Sequence, residues 1–219
     1  WLSQTEDFIG SEELFRDDYA YFSSTSSSWL MHAKKYSEMI ISKLNLNSES
    51  NVLEIASNDG YLLKNFTQKE IPCIGIEPTR NTAEESKKHG IKVIEEFFGS
   101  KLAENLISNG YSADLVIGNN VYAHVPDIRD FTKGINTILS KSGTVTLEFP
   151  HLLKLLKLNQ FDTVYHEHFS YLSLTAVANI FSSENMKIYD VEEIPTHGGS
   201  LRIYGCKKDS SFSISKNVT

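Results

Sequence analysis

Asn51-Val-Leu-Glu-Ile-Ala-Ser-Asn-Asp-Gly60 runs directly into Tyr61-Leu-Leu-Lys-Asn-Phe66. Val52, Leu53 and Ile55 form a short apolar run that reads as a buried strand. Ala56, Ser57, Asn58, Asp59 and Gly60 are small or turn-forming, and residues 61–66 have helical spacing. A strand, a tight turn and a helix start in succession make a nucleotide-binding corner. The first main-chain N–H groups of the helix point at whatever sits above the strand end. The Gly-x-Gly-x-x-Gly pattern that cradles a pyrophosphate is incomplete. Small side chains still admit a ligand to the backbone, and Glu54 and Asp59 place acid beside it. A cationic, phosphate-free ligand suits this corner better than a dinucleotide.

Outward from the corner, strands and helices alternate. Residues 71–76 read as a second strand, closed by Glu77 and Pro78. Residues 81–89 read as a helix, with Gly90 as its stop signal. A short strand at 91–94 leads through Glu95-Glu-Phe-Phe98 to a helix at 101–108. A fourth strand at 113–117 ends in Gly118-Asn-Asn120, and residues 128–139 are helical. Ser142-Gly143 turns the chain into a fifth strand at 144–149. This alternation implies right-handed crossovers and a parallel sheet.

Past Pro150 the pattern changes. Residues 151–158 read as a short apolar helix, 161–170 fit no simple period, and 174–181 are helical. Residues 187–194 and 201–206 alternate as two more strands, joined through Pro195-Thr-His-Gly-Gly199. Upstream, residues 1–18 are acidic, with one short helix near 12–15. Ser26 to Ser28 read as the cap of an amphipathic helix over 29–46, with Trp29, Ala33, Tyr36, Ile40 and Leu44 on one stripe. The expected fold is α/β and Rossmann-like: a mostly parallel seven-stranded sheet with a C-terminal β-hairpin and helices on both faces. That is the layout of class I methyltransferases. The expected organisation is a lead-in at 1–28, one domain at 29–207, and a polar tail or linker start at 208–219.

Composition narrows the partners. The 219 residues suffice for one sizeable α/β domain, and 40% hydrophobic with 22% charged residues is ordinary for a globular chain. The net charge is −7 without a basic stripe, which argues against a nucleic-acid partner. Cys73 and Cys206 have no metal-type spacing, so a reduced, cytoplasmic protein is the simplest reading. No apolar run here is long enough to span a membrane, and no stretch reads as a signal peptide, so no membrane partner is expected. The chain opens on Trp1 and reads as a piece of something longer.

Several residues stand where chemistry would need them. Glu77 ends the second strand just over twenty residues after the first. In a doubly wound sheet a carboxylate there accepts from ribose hydroxyls, or simply stands solvated at a strand end; the corner at Glu54, Ser57, Asn58, Asp59 and Gly60 favours the ribose. Pro78 and Phe97 belong to the same expected cofactor site, Phe97 or Phe98 where an adenine would lie. Asn119 and Asn120 close the fourth strand, either bonding the methionine part of S-adenosylmethionine or serving as turn residues. Tyr165-His-Glu-His168 is the densest cluster. It reads as a metal site with His197, as two structural histidines, or as a general base whose tautomer a carboxylate fixes; the base is favoured, and no metal is expected. His124 lies four residues beyond Asn120, at the same rim of the sheet.

These segments resemble the bacterial sugar C-methyltransferases that act on nucleotide-linked 4-keto deoxysugars. The resemblance runs from about Tyr19 to Tyr204. It is carried by Tyr19-Ala-Tyr-Phe-Ser-Ser, Glu54-Ile-Ala-Ser-Asn-Asp-Gly, Gly75-Ile-Glu-Pro, Asn119-Asn-Val-Tyr-Ala-His-Val-Pro, Phe161-Asp-Thr-Val-Tyr-His-Glu-His and Pro195-Thr-His-Gly-Gly-Ser-Leu-Arg. It implies S-adenosylmethionine as cofactor and methyl transfer to a sugar carbon beside a ketone. His168 is the implied base, with Tyr165, Glu167, His124 and Tyr19 around the reaction and Tyr21 and His197 on the substrate. It also implies a zinc-binding N-terminal module and a C-terminal Rossmann-like domain outside these residues. An O- or N-methyltransferase for another small metabolite and a non-catalytic nucleoside-binding module are the competing readings.

Overall fold

The computed structural model describes Ser3, Gln4 and residues 22–218. They fall into two compact units: one holds residues 22–97, the other Ser3, Gln4 and residues 98–218. The short helix expected near 12–15 lies outside the described residues.

In the first unit, helix α1 (Ser27–Leu44) starts two residues before the periodic stripe predicts. Ser26 sets that start, because its Oγ accepts the Trp29 N–H (3.3 Å). The helix buries Ala33, Tyr36 and Ile40. Strands β1 (Val52–Ile55), β2 (Cys73–Ile76) and β3 (Lys92–Ile94) are parallel, with β2 paired to both others. All four β1 residues are buried, including Glu54. The helix expected over 61–66 is reduced to α2 (Lys64–Thr67), since residues 60–63 make a tight turn that drives Tyr61, Leu62 and Leu63 inward. Helix α3 (Arg80–Lys88) follows β2, and Gly90 reverses the chain at φ +76.

The second unit begins with α4 (Ser100–Ser108), β4 (Ala113–Asn119) and α5 (Ile128–Ile138). Asp127 caps α5, its carboxylate accepting from the Asp130 N–H at 2.9 Å. Strand β5 (Leu139–Pro150) runs parallel to β4 and is longer than expected. Residues 140–143 are not a free turn. They bulge inside the strand, where pairing steps from Ala113 with Leu139 to Leu115 with Thr144. Helix α6 (Leu152–Lys157) buries none of its side chains. Helix α7 (Leu174–Ser183) precedes β6 (Met186–Ile194) and β7 (Ser200–Lys207). Strand β7 is antiparallel to both β5 and β6, so the C-terminal hairpin inserts its second strand beside β5. Ser3 and Gln4 pair antiparallel with Tyr171 and Ser170.

Tyr122, Phe131 and Phe149 form an aromatic core under the β4 end. Burying each such side chain contributes about 1.5–3 kcal/mol. Arg202 on β7 and Glu148 on β5 are buried charged residues of this unit. The Arg202 Nε donates to Glu148 Oε1 (2.7 Å), its Nη1 reaches Glu192 (3.0 Å), and Tyr204 donates to the same Glu192 (2.8 Å). Glu148 pairs in register with Asn119 on one side and with Arg202 on the other. The charged row therefore leads across the sheet to the β4 end. No helix among the described residues is long and apolar enough to cross a membrane.

Candidate active site

The corner after β1 is made by main-chain conformations that few residues accept. Ala56, Asn58 and Gly60 all have positive φ, at 56°, 49° and 77°. Gly60 has a second constraint, because a Cβ would lie 2.6 Å from Ile91 Cδ1 and 2.7 Å from Ser86 Oγ. Glu77 holds the turn from the end of β2. One carboxylate oxygen accepts the Asn58 N–H and the other the Thr79 N–H, both at 2.9 Å. Burial raises the Glu77 pKa, and the Thr79 and Asn58 amides pull it back. Glu54 is 1% exposed, and its Oε2 has no hydrogen-bond partner among the described residues. Burial, then Glu77, then Asp59, push its carboxyl well above the ordinary range. A cation brought into this corner would lower the cost of ionising Glu54.

Asn58 and Asp59 have a task that their sequence position did not disclose. Asn58 Oδ1 and Asp59 Oδ2 accept the main-chain N–H groups of Ser23 and Ser24, each at 3.0 Å. They tie the turn to the segment before α1. Ser57 is buried, and Pro78 is half-buried. Of the two phenylalanines after β3, Phe97 is exposed, whereas Phe98 packs edge-on against Phe131 (5.3 Å between ring centroids). Tyr19 and Tyr21 lie outside the described residues.

The other expected residues belong to the second unit. Asn119 closes β4 at 8% exposure, and neither atom of its side-chain amide has a hydrogen-bond partner among the described residues. Asn120 takes the left-handed conformation (φ 54) and donates its N–H to the Glu148 carbonyl at 2.8 Å. Its side-chain nitrogen lies 3.3 Å from the His197 ring nitrogens, and His197 is also left-handed (φ 51). His124 ends the 3-10 turn Tyr122–His124. Its ring meets that of His168 edge-on at 4.7 Å, and Tyr165 and Tyr171 stand 4.5 Å and 6.3 Å from His168. His124, Tyr165 and His168 are thus brought together, with Tyr171 added; no motif singled out Tyr171.

The two histidines are not equivalent. Burial, with His168 beside it, lowers the His124 pKa to about 4, despite a hydrogen bond to the Glu167 main chain. His168 is also lowered by burial, but the Thr163 carbonyl and the Glu167 charge support its cationic form. The His168 tautomer was expected to be fixed by the Glu167 carboxylate, but Nδ1–H donates to the main-chain carbonyl of Thr163 at 2.9 Å. Glu167 acts on His168 through its charge and on His124 through its backbone. A main-chain acceptor leaves no mark in a sequence, so Thr163 could not be read there. The Nδ1–H tautomer puts the basic lone pair on Nε2. Among the described residues, no three His, Cys, Asp or Glu side chains are grouped to hold a metal ion.

The profile of the family described as "Methyltransferase domain" matches residues 29–191. The chain belongs to this family. Its fold is the Rossmann-like methyltransferase fold, mostly parallel with an antiparallel C-terminal hairpin. This methyltransferase domain is 33% identical over 204 residues to the C-methyltransferase NovU of Streptomyces niveus. The match covers 93% of the chain and 48% of NovU, so the chain spans about half the length of that relative. Among solved structures it is similar to magnesium protoporphyrin IX methyltransferase of Synechocystis with bound SAH (TM-score 0.64, 13% identity, 81% of this chain and 83% of that one). It is also similar to the YcgJ protein of Bacillus subtilis (TM-score 0.62, 14% identity, 82% and 100%). At such identities the two structures speak for the fold alone.

Proposed function

We propose that this methyltransferase domain transfers a methyl group from S-adenosylmethionine to a carbon beside the ketone of a nucleotide-linked keto-deoxysugar, with His168 as the base. The Nδ1–H bond from His168 to Thr163 carries this reading, because it presents Nε2 as a neutral acceptor for a carbon-bound proton. His124 is the weaker candidate, since a group lowered to about 4 holds a proton poorly near neutral pH. The 33% identity to a C-methyltransferase supports a carbon acceptor.

The corner in the first unit fits the cofactor's chemistry. Glu77 stands at the end of β2, where a carboxylate can accept from ribose hydroxyls, and a cation beside Glu54 would relieve its repulsion from Glu77 and Asp59. When bound, S-adenosylmethionine supplies an electrophilic methyl group. The work of the chain is to create the nucleophile. His168 Nε2 takes the α-proton, and the C–H electron pair passes into the ketone as an enolate. Glu167 steadies the imidazolium that results. The Tyr165 hydroxyl is the assigned donor to the enolate oxygen. The enolate carbon then forms the new bond to the methyl carbon, and the C–S electron pair returns to sulfur.

Product analysis tests the reading. The protein is incubated with S-adenosylmethionine and nucleotide-linked 4-keto sugars, and the methylated product is treated with acid under conditions that cleave O-methyl groups. The proposal expects a methyl group that survives on carbon. A methyl group released by acid, or found on nitrogen, would replace C-methylation with transfer to a heteroatom.

A further inference from the structure

Gln160 stands where the chain reverses after α6. Asn159 is left-handed (φ 52), Gln160 sits at φ −80 and ψ 58, and the Phe161 N–H meets the Asn159 carbonyl at 2.9 Å. This is an inverse γ-turn. It sends the side chain and the main chain of Gln160 to different partners. The side-chain Nε2–H donates to the Gly198 carbonyl at 2.7 Å. The main-chain carbonyl accepts the Thr163 N–H (3.2 Å) and the Thr163 Oγ1–H (2.8 Å). The Thr163 carbonyl in turn receives the His168 Nδ1–H. Gly198 adjoins His197, which faces Asn120. Gly198 has φ +74, and a Cβ there would collide with the Gln160 amide nitrogen, so glycine lets the loop close on Gln160.

We propose that Gln160 is a positioning residue, which holds His168 in its Nδ1–H tautomer by anchoring Thr163 to the 195–199 loop. Neutral imidazole in water prefers to carry its proton on Nε2, so the opposite tautomer needs an acceptor fixed beside Nδ1. Thr163 lies in a segment with little packing of its own, where Phe161 is 81% exposed and Val164 51%. Its carbonyl is directed by the two bonds to Gln160, whose main chain is held by its N–H on the Leu155 carbonyl (3.0 Å) and whose side chain is held on Gly198. The consequence for rate rests on His168 being the base; the tautomer itself does not.

The test is nitrogen NMR of the intact protein carrying 15N-histidine, at a pH above imidazole titration. His168 signals are identified by their loss in His168→Ala. Gln160→Leu removes the side-chain donor. Gln160→Glu keeps the shape, removes the same donor, and remains informative if the leucine variant does not fold. The expected result is an Nδ1–H His168 in the wild type and a shift toward Nε2–H in the variants. Exchange of the substrate's α-proton should fall about 10–10²-fold, the scale of a misplaced catalytic group, through kcat more than KM. An unchanged His168 tautomer in the folded variants overturns the assignment. A shifted tautomer in a protein whose wild type exchanges no keto-sugar proton keeps Gln160 in its role and sinks the base reading instead.

Discussion

The Nδ1–H of His168 donates its hydrogen bond to the carbonyl of Thr163, not to the carboxylate of Glu167. The imidazole is therefore oriented by the backbone, and the neighbouring acid contributes only charge. Glu167→Gln should leave the tautomer intact and lower the His168 pKa further, because the support for the cation is gone. The acid limb of the kcat/KM profile should move to lower pH. Turnover well above that limb should fall less than the 10²–10⁴-fold assigned to a proton-transferring group. A pH–rate profile of the variant against the wild type checks both parts.

His124 should make stability depend on pH with a definite sign. Its pKa in the folded protein is lowered from 6.5 to about 4, so between those values the unfolded chain binds more protons than the folded one. Stability therefore rises with pH across that window and is lost as pH falls. The difference between the two pKa values is worth about 3 kcal/mol. Denaturant unfolding at pH 4.5 and pH 7 should show a steeper loss in the wild type than in His124→Gln. The raised Glu54 and Glu77 act in the opposite sense above pH 4.5, which the paired comparison removes.

Glu77→Ala should weaken S-adenosylmethionine binding by about tenfold to 10²-fold, the worth of hydrogen bonds to a charged group. It should also lower the melting temperature, because the Asn58 and Thr79 amides lose a buried acceptor. Calorimetry at a temperature where the variant is folded separates the two effects. Unchanged affinity would remove Glu77 from the cofactor site.

Arg202→Met should be among the most damaging changes in the second unit. It strands Glu148, which is 1% exposed, without its cation. Breaking a buried pair from one side costs about 3–5 kcal/mol. Arg202→Met with Glu148→Gln should recover part of that loss in urea unfolding, because the buried charge is then gone from both sides.

The alternation of short apolar runs with helical spacing made the fold legible, down to the Ser26 cap and the antiparallel hairpin. Its failures have local causes. Residues 61–66 carry a helical spacing, yet a tight turn buries Tyr61, Leu62 and Leu63 and leaves four residues of helix. Ser142-Gly143 is a turn by composition and a bulge by pairing, since only the partner strand decides which. In the site, the sequence named the imidazoles and carboxylates but not what they bond. Asn58 and Asp59 read as ligand groups and also serve the Ser23 and Ser24 amides. Thr163 meets His168 through a main-chain carbonyl, which every residue has, and the Gln160 side chain meets a main-chain carbonyl at Gly198, so neither contact shows in the residue types.

The claim that His168 takes the carbon-bound proton can be met most directly by one measurement. Exchange of the substrate's α-proton with deuterated water, followed by NMR without cofactor, isolates the deprotonation from methyl transfer. His168→Ala should slow this exchange by about 10²–10⁴-fold, while its S-adenosylmethionine affinity stays near that of the wild type. His124→Ala should still exchange, because its imidazole is too weak a base to carry the step. Wild-type exchange in His168→Ala together with its loss in His124→Ala would contradict the account and reverse the two roles.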